Sequence, residues 1–175
     1  MILKEKIILN SYNFIDPDKE PPNIIEIFLP PGEFYWGDRH TRIRTLLGSC
    51  IAICFWHPKL HEGGMAHIML PYRTGKADTL DARYADEAMG LIFNEIKQNG
   101  TNLSDYHVKL FGGGKMFTKN EMKEVIGEKN ILAIHKLIKK YNLNLKAECL
   151  GGNAHRRIHF ELWNGIVHQK KTRHN

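Results

Sequence analysis

The chain has 175 residues, 42% of them hydrophobic, and a formal net charge of +6, enough for one domain with a buried core and too little for two. Its three cysteines, Cys50, Cys54 and Cys149, are too few and odd in number for a disulfide framework and point to a reducing compartment, the cytoplasm. The start MILKEKIILN has too brief an apolar core for a secretory signal, and no run of about 18 apolar residues is present to cross a membrane.

Residues 1–27 contain Asp16-Pro17 and Glu20-Pro21-Pro22, a proline and charge cluster that predicts a loosely attached lead-in. Phe28 to Pro31 predicts a strand entering a turn at Gly32-Glu33-Phe34, and Thr41 to Leu47 leads into a polar corner, Gly48-Ser49-Cys50. That corner opens onto the apolar run Ile51 to Trp56. The turn-forming His57-Pro58-Lys59-Leu60 follows, and then a second apolar run, Met65 to Leu70, which carries His67. Short apolar runs with such punctuation predict two buried strands joined as a hairpin. A loop at 57–60 sets Trp56 against His61 and, six residues back, Cys50 against His67, with Cβ atoms roughly 4.5–5.5 Å apart. A thiol becomes a strong nucleophile when an adjacent base takes its proton and the imidazolium holds the thiolate. The register therefore points to a Cys–His nucleophilic pair, although other loop lengths would shift it and a free cysteine is among the most commonly buried residues.

Farther along, Ala85, Ala88, Met89, Ile92 and Ile96 form one apolar stripe at helical spacing. This predicts a helix over 82–99 with Asp81 as its cap and Gly100 as its stop. Val108 to Phe111 predicts a short strand running into Gly112-Gly113-Gly114. A phosphate loop is disfavoured there, because Lys115 is not followed by Ser or Thr, so the glycines read as a tight backbone passage. Ile131, Ile134, Leu137, Ile138 and Tyr141 predict a second helix over 130–141 capped by Asn130. Two closing strands hold Ile158, Phe160 and Leu162, then Ile166-Val167, with Asn164-Gly165 as a hairpin turn. The tail from His168 carries three of the excess positive charges and reads as a solvated, frayed end; no nucleic-acid motif accompanies it. Strands before, between and after two amphipathic helices predict a mixed α/β or α+β layered domain.

The segment Thr45-Leu46-Leu47-Gly48-Ser49-Cys50, the apolar strand after it, Gly63-Gly64-Met65-Ala66-His67 and Met69-Leu70-Pro71 resemble the signature of the chemoreceptor glutamine deamidase family, CheD. Further matching blocks fall in the family's order: Arg83-Tyr84-Ala85-Asp86, Lys109-Leu110-Phe111-Gly112-Gly113, Ile126-Gly127-Glu128-Lys129-Asn130 and Gly151-Gly152-Asn153. The resemblance covers roughly residues 28–168, leaving 1–27 as a lead-in and 169–175 as a basic tail. It implies a single-domain three-layer α/β sandwich and hydrolysis of a glutamine side-chain amide on methyl-accepting chemotaxis receptors, with release of ammonia. It also implies a second role, as a regulatory binding partner of a CheC-type chemotaxis phosphatase.

The implied chemistry uses Cys50 as nucleophile and His67 as acid–base, with a threonine just before the L-G-S-C segment as third member. Thr45 fits that place, with Thr41 and Ser49 as competitors. The same chemistry needs neither cofactor nor metal. Cys50, Cys54, His57 and His61 spell C-x3-C-x2-H-x3-H, but a site confined to one strand and a tight turn would struggle to reach tetrahedral geometry. Cys54 reads as a core residue. One departure from the family is His155 in Gly151-Gly152-Asn153-Ala154-His155-Arg156-Arg157, where a glycine is expected; if that glycine supported an unusual backbone angle, the loop would be reshaped here.

Overall fold

The computed structural model describes residue 16 and residues 18–116 and 121–173. Most of the expected lead-in, residues 1–15, and the last two residues of the tail lie outside the described residues. The elements run β1 (Ile25–Phe28), β2 (Phe34–Gly37), β3 (Thr41–Leu47), β4 (Ile51–His57), β5 (Glu62–Ile68), α1 (Ala85–Gln98), β6 (His107–Gly112), α2 (Glu121–Lys140), β7 (Leu145–Leu150), β8 (Ala154–Glu161) and β9 (Val167–Arg173).

These strands form two sheets. A four-stranded sheet has the order β1-β3-β8-β9 and a five-stranded sheet the order β2-β5-β4-β6-β7. One core lies between the five-stranded sheet and the helices, where Ile51, Ile53, Phe55, Val108 and Leu110 meet Met89, Ile92, Ile134 and Leu137. A second core lies between the two sheets, formed by Ile43, Leu47, Ala52, Cys54, Met65, Ile158 and Phe160. The layers are therefore helices, five-stranded sheet and four-stranded sheet, in keeping with the expected three-layer α/β sandwich. A strand buried on both faces should be apolar throughout, and β4, the middle strand of its sheet, is so from Ile51 to Trp56.

Several expectations move. The lead-in boundary at 28 cuts through β1, which pairs in parallel with β3 from Ile25. The basic tail is not frayed over 169–173: it continues β9, which pairs with β8 as far as Ala154↔Arg173. The β8–β9 connection is wider than a two-residue Asn-Gly turn, because Leu162 and Trp163 tuck into the core at 0% and 2% exposure, and the N–H of Glu161 reaches the Ile166 carbonyl across them. Helix α1 carries the predicted stripe, but Tyr84 occupies its N-cap without a side-chain cap bond. Asp81 instead accepts the Arg83 N–H and pairs with its guanidinium, because residues 81–84 form a turn closed by the Tyr84 N–H on the Asp81 carbonyl, while the Arg83 carbonyl accepts the N–H of Leu70. Helix α2 begins at Glu121, so Asn130 is an interior residue and not its cap.

Candidate active site

Burial alternates along β3, so Thr41, Ile43, Thr45 and Leu47 point inward toward the other sheet. Opposite them stand the inward residues of β4 and β5. The hairpin register differs from the expected one. His57 pairs with Glu62 and Ala52 with His67, so the turn spans 58–61 and Cys50 is not directly across from His67. His57 is kept in the strand by a local bond: it is buried, and its Nδ1 accepts the N–H groups of Lys59 and Leu60. The pairing has slipped by an even number of residues, which leaves every side chain on its face. Cys50 and His67 are thus diagonal neighbours on the face turned toward the four-stranded sheet, and both line one cavity of about 590 Å³.

Thr45 crosses the space between the sheets to meet His67. Its Oγ1 lies 2.6 Å from the Leu29 carbonyl and 2.7 Å from His67 Nδ1. The hydroxyl has a single proton, and the Leu29 oxygen can only accept. The proton therefore goes to Leu29, and Oγ1 accepts the Nδ1–H of the imidazole. That sets the tautomer, leaving Nε2 as a lone-pair acceptor. The His67 backbone is fixed as well, its N–H donating to the Glu33 carbonyl and its own carbonyl accepting from Gly32. Thr41, four residues earlier on the same strand, lies about 13 Å away along it at 3.3 Å per residue. Ser49 lines the cavity. Of the three hydroxyl candidates, Thr45 is the one bonded to the imidazole.

Burial governs the charge of the pair. It pushes His67 down to about 4, with the Leu29 carbonyl pulling weakly the other way, and it pushes the Cys50 thiol up. Burial thus favours the uncharged form of both groups near neutral pH. The other thiols differ. Cys54 is buried between the sheets, where desolvation raises its pKa. Burial also works to raise Cys149, but hydrogen bonds from Gln169, Lys171 and Arg156 outweigh it and leave this half-buried thiol below its ordinary value.

The cavity walls are apolar at Leu46, Met69, Leu70 and Ile126, with Lys115, Asn153 and His155 at the polar side. His155 sits within β8 and is not among the residues with positive φ, which falls instead on Gly151 and Gly152. Arg156, 2% exposed, donates to the carbonyls of Gly151 and Ala154 and holds this loop in place. The remaining histidines of the zinc-like spacing are engaged elsewhere: His57 closes its own turn, and His61 Nδ1 contacts the Trp163 carbonyl. Two contributors escaped the sequence reading. The Leu29 carbonyl has no sequence signal at all. Asn130 does have one, since extending the α2 pattern backward puts it on the buried stripe with Ile134 and Leu137.

A two-sheet α/β protein with thiol, imidazole and hydroxyl gathered at one cavity is the class that fold and site define. Residues 69–171 match the family model described as CheD, chemotactic sensory transduction. A relative from Leptospira interrogans serovar Copenhageni, named a probable chemoreceptor glutamine deamidase CheD 1, is 46% identical over 165 residues, covering 89% of this chain and 98% of the relative. Relatives named probable chemoreceptor glutamine deamidase CheD occur in Pseudomonas fluorescens, 47% identical over 85% of this chain and 86% of the relative, and in Pseudomonas syringae pv. tomato, 45% identical over 85% and 90%. The chain belongs to the CheD family.

Proposed function

We propose that this protein hydrolyses the side-chain amide of glutamine residues on methyl-accepting chemotaxis receptors, giving glutamate and ammonia. The names of its relatives support the substrate. The observation that carries the chemistry is the Thr45 hydroxyl, held between the Leu29 carbonyl and His67 Nδ1, which leaves His67 Nε2 available as a base beside the cavity that Cys50 lines.

The reaction starts from the neutral pair. Nε2 takes the thiol proton as Cys50 Sγ forms its bond to the amide carbon, so the thiolate need never accumulate. Negative charge moves to the amide oxygen, where the Cys50 backbone N–H at the corner is the donor we assign. The imidazolium, steadied by Thr45, passes its proton to the departing nitrogen. Ammonia leaves, and Cys50 is left as a thioester. Nε2 then takes a proton from water as its oxygen attacks the thioester carbon, and the returning proton restores the thiol as the glutamate carboxyl leaves. Thr45 is a positioning residue in this scheme. The substrates proposed, the cytoplasmic domains of the receptors, support a cytoplasmic location for the enzyme. Among the described residues no helix is long and apolar enough to cross a membrane.

Incubation with receptor cytoplasmic domains, read by peptide mass spectrometry for replacement of NH2 by OH at glutamine, tests the proposal. Wild type should convert specific glutamines, Cys50→Ala none, and His67→Ala should be about 10²–10⁴-fold slower. No conversion by wild type would overturn the reaction, and conversion by Cys50→Ala would overturn the assignment of Cys50 as nucleophile.

A further inference from the structure

Asn130 lies midway along α2 and is 1% exposed, a poor place for a side chain that competes for backbone hydrogen bonds. Its Nδ2 donates to two carbonyls outside the helix, Ser49 O at 3.1 Å and Met69 O at 2.9 Å. The first belongs to the residue before Cys50, the second to the second residue after His67. Its Oδ1 is buried with no hydrogen-bond partner among the described residues. A well-packed apolar residue would avoid that cost of about 1–3 kcal/mol, so the two donated bonds are the feature to be explained.

The neighbouring carbonyls of the corner are held too. Gly48 O accepts from the Gly114 N–H and Cys50 O from the Gly113 N–H, each at 2.8 Å. That Gly113-Gly114 backbone rests against Gly127, one turn before Asn130, where a Cβ would come within 2.7 Å of the Gly113 carbonyl. Three successive carbonyls, 48 to 50, are thus tied to α2 or to the strand end packed on it. In a trans peptide the N–H points opposite to the preceding C=O, and no peptide bond here is cis. Holding Ser49 O on Asn130 therefore turns the Cys50 N–H away from α2.

We propose that Asn130 is a positioning residue for amide hydrolysis. It fixes the Ser49–Cys50 peptide plane so that the Cys50 N–H serves as oxyanion donor, and through Met69 O it ties that plane to the strand end carrying His67. This rests on the deamidase reading above.

Asn130→Leu removes both donors at similar volume. Turnover of receptor glutamine should fall by about 10²–10³-fold, the usual effect of losing one oxyanion donor, with KM unchanged. Alkylation of Cys50 by iodoacetamide displaces iodide without forming an oxyanion, so its rate and pH profile should stay at wild type. Turnover at the wild-type level, or alkylation falling together with turnover, overturns the proposal. If the leucine variant lacks cooperative unfolding, Asn130→Asp decides. Its carboxyl donates only when protonated, so its turnover should rise as pH is lowered, opposite to wild type; a profile parallel to wild type overturns the assignment. Cys50→Ala keeps the two readings apart. Deamidation by Cys50→Ala would remove the cysteine mechanism on which this inference rests, whereas an inactive Cys50→Ala beside fully active Asn130 variants would remove this inference alone.

Discussion

One proton on Thr45 decides how His67 can act. Given to the Leu29 carbonyl, it leaves Oγ1 as acceptor for Nδ1–H, and the ring cannot turn without stranding that N–H in a buried site. Thr45→Val keeps the shape and removes the oxygen. An unsatisfied buried donor costs about 1–3 kcal/mol, so turnover should drop by about ten- to a hundredfold at unchanged KM, and Thr45→Ser should recover most of it; a fully active valine variant would release Thr45 from this role. Burial also sets the pH response. A base must be neutral to work, and His67 stays neutral down to about 4. The acid limb of kcat/KM should therefore fall near 4 and not near the ordinary histidine value of about 6.5. Cys50, raised by burial, should be alkylated ever faster as pH climbs past neutrality, with no plateau on the acid side. Such a plateau would reveal a resting ion pair. Cys149 should label competitively near neutral pH, its pKa being lowered, but Cys149→Ser should leave turnover intact.

At the scale of elements, the polar corner before β4 is held by chain passing behind it. Gly112 ends β6 at φ +113°, and a Cβ added there would lie 2.1 Å from the Cys50 carbonyl oxygen. Backbone strain of this kind costs of order 1–3 kcal/mol, with the clash added to it. Gly112→Ala should therefore lower unfolding free energy in urea by more than Gly100→Ala, where φ is also positive but an added Cβ meets nothing within 4 Å among the described residues beyond its chain neighbours. Equal losses would mean that the corner is not supported from behind. The Gly-Gly-Gly passage was legible in the sequence because only close backbone approach explains it. So were β3, β4 and the α1 stripe, where periodicity and apolar runs report burial directly. The hairpin register was not, since it turned on a His57 side chain accepting from its own loop. Strand β7, an edge strand with exposed Lys146, Ala147 and Glu148, has no alternation to betray it. The tail strand β9 was masked in the same way, because lysines suit a sheet edge as well as they suit a frayed end.

For the whole molecule, the sandwich must bury an imidazole between its two sheets, and stability should record this. The folded-state pKa of His67, about 4, lies below the ordinary 6.5, so between those values the unfolded chain binds a proton that the folded chain refuses. Stability then rises with pH across that window and is lost as pH falls from about 6.5 to about 4. At roughly 1.4 kcal/mol per pKa unit the contribution is at most about 3.5 kcal/mol. His107 and His159 are lowered by burial and by nearby cations, so they act in the same direction and the total slope is not His67's alone. The carboxylates of Glu26, Asp81 and Glu87, lowered chiefly by hydrogen bonds from Arg42, Arg83 and Arg73, lose their contribution only below the ordinary carboxylate range. A difference measurement isolates the one site. The unfolding free energy of wild type minus that of His67→Gln, taken in urea at several pH values, should shrink as pH is lowered from 7 toward 4, because glutamine takes up no proton. If that difference stays constant across the window, His67 does not rest as a neutral imidazole buried between the sheets, and the uncharged Cys50–His67 pair from which the hydrolysis is argued to start would have to be abandoned.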